Sequence, residues 1–293
     1  MRMFVLTARR VPDVPSPLLV EVSERLRALG HEVEHGTPEQ MLVDAVGVTP
    51  GHDLYLLKSH TELALSVTAA LAAQGARILN PYEACAAAQD KLLANRRLHA
   101  AGVPVPRTFV TADYDRVAEC LDGAPKIVKP LRGHRGAGVE VVTTGADLVG
   151  RPEPSGPLIV QDLVEGPGED LKVYVVGERV WAVRKPFSPT SFSVPGRPVP
   201  VTREVEDIAL RAAAATGLGL FGLDIIEGTD GPVVVDTNYF PGYKGCVGVA
   251  GPMTAYIHDY ATGAVDLVLP PMPHAAHPAA IGAAIGQERL SVA

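Results

Sequence analysis

The chain has 293 residues with 47% hydrophobic and 20% charged side chains, a globular composition with enough apolar matter for one elaborate domain or several small ones. Its formal net charge of -7 speaks against a general nucleic-acid surface, which needs basic groups to displace counterions. Cys85, Cys120 and Cys246 are far apart and lack metal-ligand spacing, so they read as thiols in a reducing cytosol.

From the amino end, MRMFVLTARRVPDVPSPLL is too short in its apolar run and too rich in proline for a signal peptide. No later run is long and apolar enough to span a membrane, so a cytoplasmic protein is expected. FVLTA (4–8) reads as a buried strand and 16–30 as an amphipathic helix closed by Gly30. HEVEHG, DLYLLKS (53–59) and TELALSVTAALAAQGARILNP continue the alternation, which predicts a small parallel sheet ending near Pro81. The spacing predicts one helix from 86, stopped by Gly102, and then a strand entered through two prolines.

The texture then changes to short strands and glycine turns. PKIVKPLRGHRGAGVEVVTT (125–144) reads as strand, glycine loop, strand; 151–157 is a linker, and PLIVQDLV (157–164) a further strand. LKVYVVGERVWAVRKPF (171–187) turns at Gly177-Glu178 as a hairpin. PVTREVEDIALRAAAATGLG is a helix, and LFGLDIIEGTDGPVVVDTNYFPGYKGC (220–246) supplies two strands. The tail from Pro270, with His274 and His277, has no period and reads as a mobile, solvated extension rather than a metal chelator.

Acids in strands this apolar need a reason, because a buried carboxylate is costly unless it is paired or holds a cation. Asp236 and Asn238 are two apart, hence on one face, and Asp224 points away from Leu223 and Ile225. Three hard oxygen ligands on adjacent strands suit magnesium, with manganese as an alternative, bound partly through nucleotide phosphates. Turn chemistry is the plainer explanation, and it suffices for Asp230-Gly231. Lys129 ends the strand KIVK, and Gly133, Gly136 and Gly138 offer backbone amides to phosphate oxygens. This loop is neither a P-loop nor a Rossmann fingerprint. Gln161 and Asp162, with the backbone of Leu163 and Val164, could form the polar edge of an adenine pocket.

In this order, QDKLLANRRLHAAGVPVP, KIVKPLRGHRGAGVEVV, LIVQDLVEGPGEDLKVYVVG and FGLDIIEG followed by PVVVDTNYFPGYKG resemble the ATP-grasp superfamily. The resemblance implies an α/β (α+β) fold: an amino-terminal strand-helix domain (1–88) on the substrate side, a central subdomain (89–160), and a carboxyl-terminal subdomain with the metal ligands (161–269) that clasps ATP with it. By the same resemblance, Lys91 and Lys129 hold ATP phosphates and the loop with His134 and Gly136 lies over them. Gln161 to Val164 form the adenine hinge, Glu169 or Asp170 meets the ribose, and Asp224, Asp236 and Asn238 hold magnesium.

Two branches compete. RimK-type ligases join a carboxylate to an amine through an acyl phosphate, and Asp170 and Lys172 before the hairpin resemble their acid and base two apart. ATP-grasp inositol polyphosphate kinases instead phosphorylate a hydroxyl; Asp236 with NYFPGY, Lys185-Pro186, Lys58 and His134 resemble those. A heavily phosphorylated inositol needs more cations than the first domain carries, so the ligase is the preferred reading. Lys58, His134, Lys172, Arg184 and Lys185 suggest an anionic acceptor under either, although Lys58 and Arg184 could equally be solvated surface charge. Lys172, Arg184 and Lys185 are the candidate catalytic groups, and Lys58 and Gly242 the candidate substrate contacts. The expected partners are a small anionic or carboxylate-bearing substrate and an amine, with no nucleic acid or membrane, in a homo-oligomer by default. A catalytically dead nucleotide sensor is disfavoured by the intact lysines and acids. The glycine loop and 188–199 are expected to close over ligands, and Cys246 lacks a partner base for covalent catalysis.

Overall fold

The computed structural model describes residues 1–9, 14–133, 137–187 and 194–272. In chain order the strands are β1 (Arg2–Leu6), β2 (Glu32–Gly36), β3 (Leu54–Leu57), β4 (Ile78–Leu79), β5 (Thr108–Thr111), β6 (Lys126–Pro130), β7 (Glu140–Val142), β8 (Leu158–Asp162), β9 (Glu169–Val176), β10 (Arg179–Pro186), β11 (Arg197–Val199), β12 (Leu220–Gly228) and β13 (Gly231–Tyr239). The helices are α1 (Pro17–Ala28), α2 (Glu62–Ala72), α3 (Tyr82–Gln89), α4 (Lys91–Ala100), α5 (Tyr114–Glu119), α6 (Arg203–Thr216) and α7 (Ala250–Thr262).

Three sheets organise them. The first is parallel, in the order β2-β1-β3-β4, as the alternation of strands and helices predicts. The second, β5-β8-β6-β7, and the third, β11-β10-β9-β12-β13, are antiparallel. One core runs from the first sheet into the third: Leu54, Leu56 and Leu79 belong to the same buried cluster as Val173, Phe221 and Ile257. The second sheet has a small core of its own around Val117, Val128, Val142 and Val160.

Asn80 fastens the first sheet to the third. Its side chain accepts from Gly219 N and Leu220 N and donates to Leu220 O, at 2.8 to 2.9 Å, with no exposure to solvent. Helix α6 covers the third sheet with Val205, Ile208, Ala209 and Ala212; Thr202 caps its start through Val205 N, and Gly217 ends it at φ +67.

The predicted hairpin turns at Gly177, where φ is +59. The single helix expected from residue 86 is two. Asp90 adopts an extended backbone between α3 and α4, and its side chain accepts from Leu93 N. That cap breaks the helix and puts Lys91 in the first turn of α4. Within the segment expected to close over ligands, Arg197–Val199 pairs with β10 as an edge strand. Residues 188–193 lie outside the described residues, as does the tail from 273, with His274 and His277. The start of that tail is docked: Arg97 Nη1 donates to Pro270 O at 2.8 Å.

Candidate active site

The third sheet carries the acids in register. Residues directly opposite in antiparallel strands share a face. One row across β10, β9, β12 and β13 reads Val183, Lys172, Asp224, Asp236; the next reads Trp181, Tyr174, Gly222, Asn238. Asp224, Asp236 and Asn238 therefore share one face, with Lys172 beside Asp224.

A β-bulge makes this possible. In β13 the register shifts between Asp224 and Ile225, which leaves Val235 as the extra residue. On one side of it Pro232 and Val234 are buried; on the other, Thr237 and Tyr239. Without the bulge, the face that buries Val234 would also take Asp236 and Asn238 into the core. The Val235 carbonyl accepts from Lys129 Nζ at 3.0 Å, so the bulge also ties β6 of the second sheet to the acids.

Charge on this face is nearly balanced. Lys172 Nζ lies 2.7 Å from Asp224 Oδ2 and 2.9 Å from Asp170 Oδ2. Burial opposes its charge, but the two carboxylates outweigh burial and raise its pKa. Desolvation raises the Asp224 pKa, with Lys172 pulling down and Asp236 pushing up. Lys91 Nζ is 3.6 Å from Asp236 Oδ1 and donates to Gly133 O at 3.2 Å, bridging helix α4, the glycine loop and β13. Lys129 and Lys185 are 7% and 4% exposed, and burial lowers the pKa of each. Neighbouring cations add to this, Lys91 for Lys129 and both Lys172 and Lys244 for Lys185. Four lysines, 91, 129, 172 and 185, thus face three carboxylates, 170, 224 and 236, a surface suited to a polyanion accompanied by a divalent cation.

Among the described residues no three His, Cys, Asp or Glu are grouped for a metal. Two carboxylates and an amide nevertheless fit magnesium, which takes one or two carboxylates and completes its shell with phosphate oxygens and water. All three are hard oxygen donors, and manganese has the same preference.

Other candidates fall elsewhere. Arg184 stands opposite Leu171, on the reverse face from Lys172 and Lys185, and its Nη2 pairs with Glu227 Oε2 at 2.6 Å. It is not brought to the acids, because successive residues of a strand face opposite ways. Glu169 is also on the reverse face, 3.5 Å from Arg197, whereas its neighbour Asp170 joins Lys172.

In the expected adenine hinge, Gln161 is turned inward: its Nε2 donates to Thr108 Oγ1 at 3.0 Å. Asp162 accepts from Lys126 Nζ at 2.8 Å, Asp162 N donates to Arg107 O, and Leu163 N to Pro125 O. Val164 packs near Gly228, where an added Cβ would stand 3.3 Å from Val164 Cγ1. Gly138, at φ +70, gives the glycine loop a conformation other residues resist. His134 and Gly136 lie outside the described residues.

Sequence reasoning missed the fastenings of the NYFPGY loop. Gly222 lets it fold back, since a Cβ there would lie 3.1 Å from Pro241 Cγ. Tyr243 OH donates to Val175 O at 2.7 Å, and Tyr239 OH donates to Ser59 O and Gln89 Oε1. Phe240 and Tyr243 hold positive φ, +37 and +49, on either side of Pro241-Gly242, a strain typical of functional loops. Gly242 is exposed between them. Lys58 Nζ sits 5.5 Å from the centre of the Phe240 ring. Lys126 was also missed; a lysine with 1% exposure is a signal of pairing only once its burial is known. Burial pushes the Cys246 thiol up to about 12, so it is protonated at neutral pH and poorly suited to attack.

A RimK-like ATP-grasp domain matches residues 88–256. A probable alpha-L-glutamate ligase of Xanthomonas euvesicatoria pv. vesicatoria is 33% identical over 208 residues, 66% of this chain and 70% of that one. The crystal structure of a RimK domain ATP-grasp protein from Sphaerobacter thermophilus superposes with a TM-score of 0.70 at 20% identity, covering 90% of this chain and 100% of that one. The ATP-grasp ligase PsnB, in complex with a minimal precursor, Mg and ADP, gives 0.63 at 22% identity over 88% of this chain and 97% of its own. The match spans the row of acids, Lys91, Lys129 and the glycine loop, and with it the chain belongs to the RimK-like ATP-grasp family.

Proposed function

We propose that this ATP-dependent ligase activates a carboxylate as an acyl phosphate and joins it to an amine, on the face of the third sheet that carries Lys172, Asp224 and Asp236. The observation that carries the reading is the row Lys172, Asp224, Asp236 with Lys91 and Lys129 reaching it from α4 and β6. Lys91 and Lys129 hold the triphosphate between the second and third sheets. Asp224, Asp236 and Asn238 hold magnesium, or manganese, which when bound supplies charge neutralisation at the phosphate oxygens. Within the domain division expected from the sequence, ATP lies between 89–160 and 161–269.

In the first step a carboxylate oxygen of the substrate attacks the γ-phosphorus, and the bond to ADP breaks. Lys172 and Lys185 stabilise the charge that spreads over the transferred group. In the second step the amine nitrogen attacks the acyl carbon, phosphate leaves, and the amine gives up a proton. No protein nucleophile is required, in keeping with the protonated state of Cys246. The relative from Xanthomonas makes L-glutamate the first compound to test, as carboxylate or as amine.

The test is mass spectrometry of products after incubation with Mg-ATP, L-glutamate, other amino acids, small peptides and amines. A product equal to two components less one water, with ADP and free phosphate, supports the reading. A component heavier by one phosphoryl group, with ADP alone, would replace the ligase by a kinase.

A further inference from the structure

In the second step outlined above, charge moves from the phosphoryl oxygens to the acyl oxygen. As the amine attacks, a donor aimed at that oxygen lowers the barrier. Lys172 is held between Asp170 and Asp224, and Lys91 and Lys129 are assigned to the triphosphate. The step calls for a neutral donor on the same face, beside the acids but outside their ion pairs.

Tyr174 has that position. It stands in the row next to Lys172, Asp224 and Asp236, opposite Gly222 and in line with Asn238. Gly222 has no side chain, and an added Cβ there would stand 3.2 Å from Tyr174 Cδ1 and 3.1 Å from Pro241 Cγ. The Tyr174 ring therefore leans over β12 toward the NYFPGY loop, and its centre lies 5.3 Å from that of Tyr243. It joins the face of acids to the loop that carries Gly242.

Its hydroxyl differs from those of the neighbouring tyrosines. Tyr243 OH donates to Val175 O, and Tyr239 OH to Ser59 O and Gln89 Oε1, so both serve the fold. Among the described residues the Tyr174 hydroxyl has no hydrogen-bond partner, although Tyr174 is only 7% exposed. A buried phenol normally finds a partner, and one left open on this face is available to a ligand. Burial raises its pKa, with Asp224 and Cys246 adding to the shift and Lys172 opposing it, so the phenol keeps its proton. Phenylalanine would fill the same space against Gly222 and Tyr243, so packing alone does not call for the oxygen.

We propose that Tyr174 donates a hydrogen bond to the acyl oxygen of the substrate and stabilises the oxyanion that forms when the amine attacks. The proposal rests on the ligase reading. One carboxylate oxygen bonds to the γ-phosphorus as the bond to ADP breaks, and the other accepts from Tyr174. The amine lone pair then makes the C–N bond while the carbonyl pair moves onto the oxygen held by Tyr174. That pair returns as the C–O bond to phosphate breaks, and the departing phosphate takes the amine proton. Tyr174 keeps its own proton throughout.

Rapid-quench kinetics of the full chain with Mg-ATP tests this, with L-glutamate, then other amino acids and small peptides, as carboxylate and amine probes. Quenching into hydroxylamine converts accumulated acyl phosphate to hydroxamate, so ADP of the first turnover and hydroxamate report the first step, and ligated product the second. Tyr174→Phe is expected to slow product formation roughly 10- to 100-fold, to keep first-turnover ADP within about twofold of wild type and to raise hydroxamate. Its thermal midpoint and nucleotide affinity should be unchanged, whereas Tyr174→Leu, which also removes the ring, should lower the midpoint. A phenylalanine variant that forms product within twofold of wild type, or that slows ADP formation and ligation alike, would overturn the proposal and leave the ligase reading standing. Wild-type protein that forms no ligated product with any of these compounds would sink the ligase reading and this role with it.

Discussion

Lys172 and Asp224 stand directly opposite each other across β9 and β12, with Nζ 2.7 Å from Oδ2. The same ammonium reaches Asp170, so one lysine screens two carboxylates that would otherwise repel. Both sides of this bridge are mostly shielded, with 17% and 26% side-chain exposure, so its loss leaves acids uncompensated.

Lys172→Met is therefore expected to cost about 1–3 kcal/mol in denaturant unfolding and on the order of 100-fold in kcat/KM. Lys172→Arg keeps the charge and can meet both carboxylates, so it should retain stability and most of the activity. Urea titration and phosphate release measure the two effects separately. A stable, active methionine variant would remove Lys172 from the site.

On the proposed reading, Asp224 and Asp236 set the metal requirement. Asp236→Asn removes one of two carboxylates, and the magnesium concentration for half-maximal activity should rise roughly 10- to 100-fold. EDTA should abolish product formation, and magnesium or manganese restore it. Electron paramagnetic resonance of bound manganese reads the same site without turnover; unchanged binding in the variant would place the metal elsewhere.

Lys129 and Lys185 have pKa values lowered chiefly by burial. Between the lowered folded value and the ordinary lysine value, the unfolded chain binds more protons, so stability of the nucleotide-free protein gains from these groups as pH rises through that window. Nucleotide affinity has the opposite sign, because each ammonium attracts phosphate only while protonated. Titrations at alkaline pH in two buffers of different ionisation enthalpy should reveal proton uptake on binding. Proton release, or none, would contradict the assignment.

Cys246 and Arg184 should be dispensable for chemistry. Cys246→Ala is expected to leave kcat unchanged, since the thiol at about 12 is protonated at neutral pH. Arg184→Gln should lower stability by about 0.2–1 kcal/mol and leave KM and kcat near wild type, because its pair with Glu227 is a partly exposed one on the reverse face. A tenfold loss of kcat in either variant would bring that residue back into the site.

Much of the candidate site was legible because acids inside apolar strands are expensive and demand a cation. Asp224 and Asp236 stood out in this way, and the structure gathers them with Asn238 on one face, with Lys129 from the end of KIVK bonded to the neighbouring Val235 carbonyl. Local chemistry also determined the parallel first sheet and the hairpin turn at Gly177, whereas the helix read through GLG ends earlier, at Gly217. Each follows from side-chain period or from glycine's freedom at positive φ, properties of a few consecutive residues. What only the tertiary structure decided is which face each strand presents. VVV before Asp236 is apolar on both sides, so nothing in it marks Val235 as the bulge residue that turns Asp236 and Asn238 out of the core. Arg184 and Lys185 are adjacent cations; alternation says they diverge, but only the pairing of Lys185 with Asp170 says which one faces the acids. The stacking of His60 on Tyr239 joins residues far apart in the chain, and no local pattern could foretell it. Register and docking are set by the fit of distant surfaces, which is why the chemistry could be read from the sequence before its geometry.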